Sequence, residues 1–115
     1  LYEDCAFLEA WPGVPVGNEE GEIITTALGD KRAILLSHHG QLSTGASVEE
    51  ACVIAQLIER AAKLQLLAMA AGTIKPILPQ LGREAHDWIS RPKRHGAAFD
   101  YYVRQNLRQH ADCLS

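Results

Sequence analysis

A helix start is written at Ser47-Val-Glu-Glu50, and the helix that follows dominates the rest of the architecture. The Ser hydroxyl can accept from the amide three residues on, while Glu50 reaches back to the Ser amide, which makes a capping box. From there Ala, Leu, Ile, Gln, Glu and Lys dominate to Ala71, and Gly72 supplies a stop. The spacing predicts one long helix over 47–71, packed on a sheet through Val48, Ala51, Cys52, Ala55, Ile58, Ala62, Leu66 and Met69. Its apolar run is broken by Glu49, Glu50, Gln56, Glu59, Arg60, Lys63 and Gln65. No segment therefore reaches the roughly 20 apolar residues that span a bilayer.

The remaining sequence suffices for one domain of 115 residues and not for two. Apolar residues at 47% and charged residues at 22% exclude disorder and a fibrous repeat. The net charge of −3 gives no grip on phosphate backbones or anionic lipid, so neither nucleic acid nor membrane is expected as a partner. The chain begins at Leu1 without a signal peptide, as a processed chain or a fragment would. Cys5, Cys52 and Cys113 are odd in number and widely spaced, which argues against a disulfide framework or a zinc knuckle and for a reducing cytoplasm.

Elsewhere the punctuation is clear. Cys5-Ala-Phe-Leu reads as a short strand, and Trp11-Pro-Gly-Val-Pro cannot lie inside a helix. Asn18 offers an N-cap to a helix over about 18–28 that stops at Gly29. Ala33-Ile-Leu-Leu-Ser, bounded by charges and by His38-His39-Gly40, suits a strand buried on both faces, with a second strand over Gln41–Gly45. Residues 73–79 are extended by their prolines. A helix over 80–89 carries Leu81, Ala85, Trp88 and Ile89 on one side, and Pro92 ends it. A last helix over about 96–113 carries Phe99, Tyr102, Val103, Leu107 and Ala111 on one face, with Arg104 and Arg108 off it. The order is strand, helix, strand, strand and three helices, an α/β or α+β arrangement with few strands.

Adjacent histidines at a strand end point in opposite directions, so at most one of His38 and His39 faces a given site. Imidazole is the commonest first-row metal ligand, yet no HxH, HxxxH or CxxC accompanies the pair. By spacing alone, a metal ligand and a core or solvated histidine both remain open. His86, His95 and His110 read as surface or capping residues. Glu59 falls in the helical row 52, 55, 59, 62, 66 among apolar neighbours, either as support for a site or as a buried acceptor. Tyr101-Tyr102 reads as core aromatic and Arg91-Pro-Lys-Arg94 as a solvated basic corner.

Asp30-Lys-Arg-Ala-Ile-Leu-Leu-Ser-His-His-Gly-Gln-Leu-Ser-Thr-Gly, then Ser47-Val-Glu-Glu-Ala, then Glu59-Arg-Ala-Ala-Lys-Leu-Gln, resembles the C-terminal half of the class II aldolase/adducin family. The resemblance spans about residues 18–72. It implies a three-layer α/β/α fold, of which residues 1–115 form a single domain, the C-terminal half of the family's domain. It implies that His39, directly before Gly40, is a ligand of a divalent metal, zinc first, with Mn, Co or Fe as alternatives. The implied reaction is C–C bond cleavage of a small hydroxy-carbonyl substrate through a metal-stabilised enediolate. A non-catalytic, adducin-like assembly domain is the competing implication, as is a decarboxylase or epimerase of the same family. The family's paired HxH ligands, acid/base Glu and anion-holding loops have no counterpart here. The implied partners are therefore a missing N-terminal half and further subunits of a homotetramer, and the catalytic acid and base are not among these residues.

Overall fold

The computed structural model describes residues 1–10, 13 and 17–114. Trp11, Pro12, Val14, Pro15, Val16 and Ser115, and the side chains of Cys113 and Leu114, lie outside the described residues. The elements run β1 (Cys5–Leu8), α1 (Glu19–Leu28), β2 (Ala33–Leu36), β3 (Gly40–Ser43), α2 (Val48–Ala71), α3 (Pro79–Ile89) and α4 (Pro92–Gln109), with a closing 3-10 turn over Ala111–Leu114. The expected order holds. The last helix starts four residues earlier than expected, because Pro92 both ends α3 and occupies the first turn of α4, where a missing N–H costs nothing.

One mixed sheet holds the layers together. β1 pairs parallel with β2, Cys5 beside Ala33, and β2 pairs antiparallel with β3, Leu36 beside Gly40. β2 is central, and Ala33 and Ile34 are fully buried and Leu36 nearly so, whereas Leu35 is 38% exposed, so the expected burial on both faces holds for three of its four residues. One sheet face lies under α2. Ser43 Oγ donates to the Ala51 carbonyl at 2.9 Å and Gln41 Nε2 to that of Ala55 at 3.3 Å, so α2 runs antiparallel to β3. Ala33, Ile54 and Ile58 form the core there, flanked by Leu1 and Cys5. α1 lies against β1 and β2, giving the three layers α/β/α.

The Ser47 half of the capping box is present, whereas Glu50 reaches past the Ser47 amide to that of Ala46. Ser47 Oγ accepts from the Glu50 amide at 3.3 Å, and Glu50 Oε2 accepts from the Ala46 amide at 2.8 Å. Asn18 stands at the N-cap of α1 but makes no side-chain cap bond. The expected packing stripe of α2 needs correction. Val53, Ile54 and Ile58 are its buried residues, whereas Val48 is 78% exposed and every residue from Glu59 to Ala71 is exposed. The reason is length. Twenty-four helical residues extend about 36 Å, whereas a four-residue strand covers about 13 Å. Past Ile58 the helix overhangs the sheet. α3 matches the expected helix to within one residue, but Leu81 and Trp88, on its apolar side, are each 50% exposed.

Candidate functional site

β2 ends at Leu36, and residues 37–39 form a three-residue turn into β3. The Ser37 amide donates to the Leu8 carbonyl at 3.0 Å and the His39 amide to the Leu36 carbonyl at 3.1 Å, which pins both sides of the turn. His38 takes the left-handed conformation with φ at +59°, a region histidine visits more readily than most side chains. The two histidines are thus turn residues and not the last strand residues, and the pleat does not send them to opposite faces. Both are exposed. Phe7 and Leu35, cross-strand neighbours near this end of the sheet, stay exposed too, Phe7 at 63%.

No group of three or more His, Cys, Asp or Glu residues among the described residues could hold a metal ion. The turn therefore fits a metal only as a contributor of an imidazole donor, and not as a complete site. Glu59 lies on the exposed part of α2, so neither a buried acceptor nor a carboxylate in an apolar stripe describes it.

A second constellation escaped sequence reasoning. Arg32, the residue before β2, ties three other segments of the chain together: the residue before β1, the start of α2 and the end of α3. Its backbone amide donates to Asp4 Oδ1 at 2.9 Å and its Nε to Asp4 Oδ2 at 2.6 Å. Nη1 meets Glu50 Oε1 at 3.0 Å, and Nη2 donates to Ser90 Oγ at 2.7 Å. His86 Nε2 sits 3.1 Å from both Arg32 Nη2 and Asp4 Oδ2, and His95 Nδ1 lies 3.4 Å from Glu50 Oε1. Asp4 and His95 are buried, His95 at 4% exposure. His95 is therefore a buried partner of a carboxylate and not a surface residue, and His86 a half-buried one, whereas His110 stands at the α4 C-cap as expected.

The electrostatics follow from this geometry. Burial pushes the Asp4 carboxyl up, but hydrogen bonds from the Arg32 side chain and amide and from His86 outweigh it and hold it below the ordinary range. Glu50 is held down by the Ala46 amide, against some burial, with help from Arg32 and His95. Burial opposes the charge on Arg32, yet Asp4 and Glu50 raise its pKa. The register offered a signal for this centre. Cys5 pairs with Ala33, so the residues just before the two parallel strands, Asp4 and Arg32, are neighbours of opposite sign.

The basic corner is exposed, with the Arg94 guanidinium 2.9 Å from the centre of the Trp88 ring. Tyr101 and Tyr102 meet edge to face at 5.7 Å, Tyr101 exposed and Tyr102 half-buried, so only one of the pair reaches the interior.

Residues 2–66 match the family described as "Class II Aldolase and Adducin N-terminal domain". The chain is 30% identical over 83 residues to "4-hydroxy-3-prenylphenylpyruvate oxygenase/4-hydroxy-3-prenylbenzoate synthase" of Streptomyces roseochromogenus subsp. oscitans, covering 72% of this chain and 30% of that protein. It is 30% identical over 106 residues to "Decarboxylase NovR" of Streptomyces niveus, covering 85% of this chain and 39% of that protein. The solved structure of "L-fuculose 1-phosphate aldolase from Glaciozyma antarctica PI12" superposes with a TM-score of 0.79 at 26% identity, over 96% of this chain and 41% of that one. The chain thus spans well under half the length of these relatives.

Proposed function

Because this chain belongs to the class II aldolase and adducin family, we propose that it is the C-terminal half of a metal-dependent lyase domain that cleaves a C–C bond in a small hydroxy-carbonyl substrate. His39 is the ligand that this half contributes. The observation that carries the reading is the pinned turn before Gly40, which holds an exposed imidazole where the central strand leaves the sheet. A divalent cation, zinc first given an imidazole donor, supplies charge stabilisation for the electrons left on the substrate when the bond breaks. The chain's own part is to fix the His39 backbone between the Leu36 carbonyl and the β3 ladder. The other ligands, the proton-transferring groups and the substrate-reading residues come from outside these 115 residues. Association into a homotetramer would cover the exposed apolar surface of α2 and of Phe7, and the free thiols Cys5 and Cys52 suit a cytoplasmic location.

A decarboxylase reading draws support from the relative of that name, which covers 85% of the chain. Decarboxylation leaves the same kind of negative charge beside a carbonyl, so the ligand role of His39 is common to both. Metal content of the full-length protein, compared between His39→Ala and His38→Ala, tests the proposal. Metal is expected to be lost in the first and kept in the second. Equal retention in both would remove His39 from the site and favour an assembly domain. Turnover of a hydroxy-carbonyl against a β-keto acid substrate then separates aldol cleavage from decarboxylation.

A further inference from the structure

α3 is seated in an unusual way. Its apolar row, Leu78, Leu81, Ala85 and Trp88, faces outward, with Leu78 68% exposed. The side turned inward carries Gly82, His86 and Ile89, followed by Ser90. No strand or helix lies along α3 over any length among the described residues. Its contacts are few and specific. Gly82 lies flat on the Tyr2 ring, so close that a Cβ there would stand 2.4 Å from a ring carbon. His86 and Ser90 reach the Asp4–Arg32 pair at 3.1 and 2.7 Å. Trp88 meets another cation, Arg94.

We propose that α3 is a detachable strap, held on the α/β layers by the Arg32–Asp4 centre and a single close contact on the Tyr2 ring and not by its apolar row, and that it leaves its seat as a unit while the sheet stays folded. Both flanks suit this. The segment before it, residues 72–78, forms no helix or strand, and Arg91-Pro92 separates it from α4, which is held independently against α2. An eleven-residue helix is marginal in water by itself, so an unseated α3 melts and its amides exchange.

Hydrogen exchange on the full chain reads this directly. In His86→Ala/Ser90→Ala, which keeps Asp4, Arg32 and Glu50 paired, protection of amides 83–89 is expected to fall at least tenfold. Protection of Ile34, Leu36 and Ile54 should stay within twofold. Leu81→Gln, on the outward row, should leave α3 protection unchanged. Three outcomes overturn the proposal: unchanged α3 protection in the double variant, equal loss in α3 and β2, or a comparable loss in Leu81→Gln. The first shows that other contacts seat the helix, the second that it is no separate unit, and the third that its apolar row is the seat. The single variants His86→Gln and Ser90→Ala give the same comparison should the double variant lose its overall fold.

Discussion

Asp4 is one of the residues through which this chain feels acid. Its carboxyl and that of Glu50 ionise more readily in the folded protein than in the unfolded chain. Groups shifted in that direction stabilise the fold fully above their unfolded values, at about pH 5 and higher, and lose the contribution as pH falls through the folded ones. The urea midpoint should therefore hold from pH 7 to about 5 and drop steeply below about 4. Asp4→Asn should cost about 2–3 kcal/mol at neutral pH, because a charge-assisted hydrogen bond is lost beside a part-buried guanidinium. It should also flatten the acid limb. A variant with the wild-type acid limb would place the sensitivity on other carboxylates. Gly45 is a second sensitive residue. A Cβ there would meet the Ala51 amide nitrogen at 2.9 Å and the Glu50 side chain at 2.8 Å. Gly45→Ala should lower the melting temperature by disturbing the capping box.

At the scale of elements, α2 divides at Ile58 into a half that supports the fold and a half that does not. Ile54→Ala should cost about 2–5 kcal/mol by opening a cavity under the sheet. Leu66→Ala, at a position 69% exposed, should stay within about half a kcal/mol in the same denaturation experiment. Loss of the Ser47 cap by Ser47→Ala should cost about 1 kcal/mol. The sequence made this helix, its cap and its stop legible, because those signals are local. It could not show where burial ends, because Ile58 and Leu66 satisfy the same apolar periodicity and only the length of the neighbouring strand distinguishes them. The same limit applies to the site. The His38-His39-Gly40 motif is contiguous and could be read, although the turn geometry differs from the strand end that was expected. Asp4, Arg32, Glu50, His86 and His95 lie on separate segments, and no spacing rule joins them. Only the opposite charges preceding two paired strands hinted at part of that centre. The bounds of α3 were legible, but not which of its sides faces the fold. Its apolar row obeys helical periodicity, but in this chain nothing covers it among the described residues.

The whole molecule is large for its mass in surface terms. It exposes 8829 Å², whereas a compact monomer of 12.6 kDa exposes about 6,200 Å². Its radius of gyration of 16.3 Å exceeds the roughly 13 Å of a compact domain of this length. Sedimentation velocity of the 115-residue chain should therefore show association, and the chain by itself should turn over no hydroxy-carbonyl substrate. A monodisperse, active monomer would refute the half-domain proposal. The mixed sheet also sets an order of assembly. The β2–β3 hairpin closes across a three-residue turn and can form within microseconds. β1 must instead find a partner 28 residues downstream, and Asp4 meets His86 across 82 residues. On a ribosome adding about 5–20 residues per second, that last partner arrives roughly 4–16 seconds after Asp4 itself. Arg32 and β2 follow after only 28 residues and can close on Asp4 and β1 early, so for most of that interval the centre is half built, with the side of the Asp4 carboxylate that His86 will take still open to water.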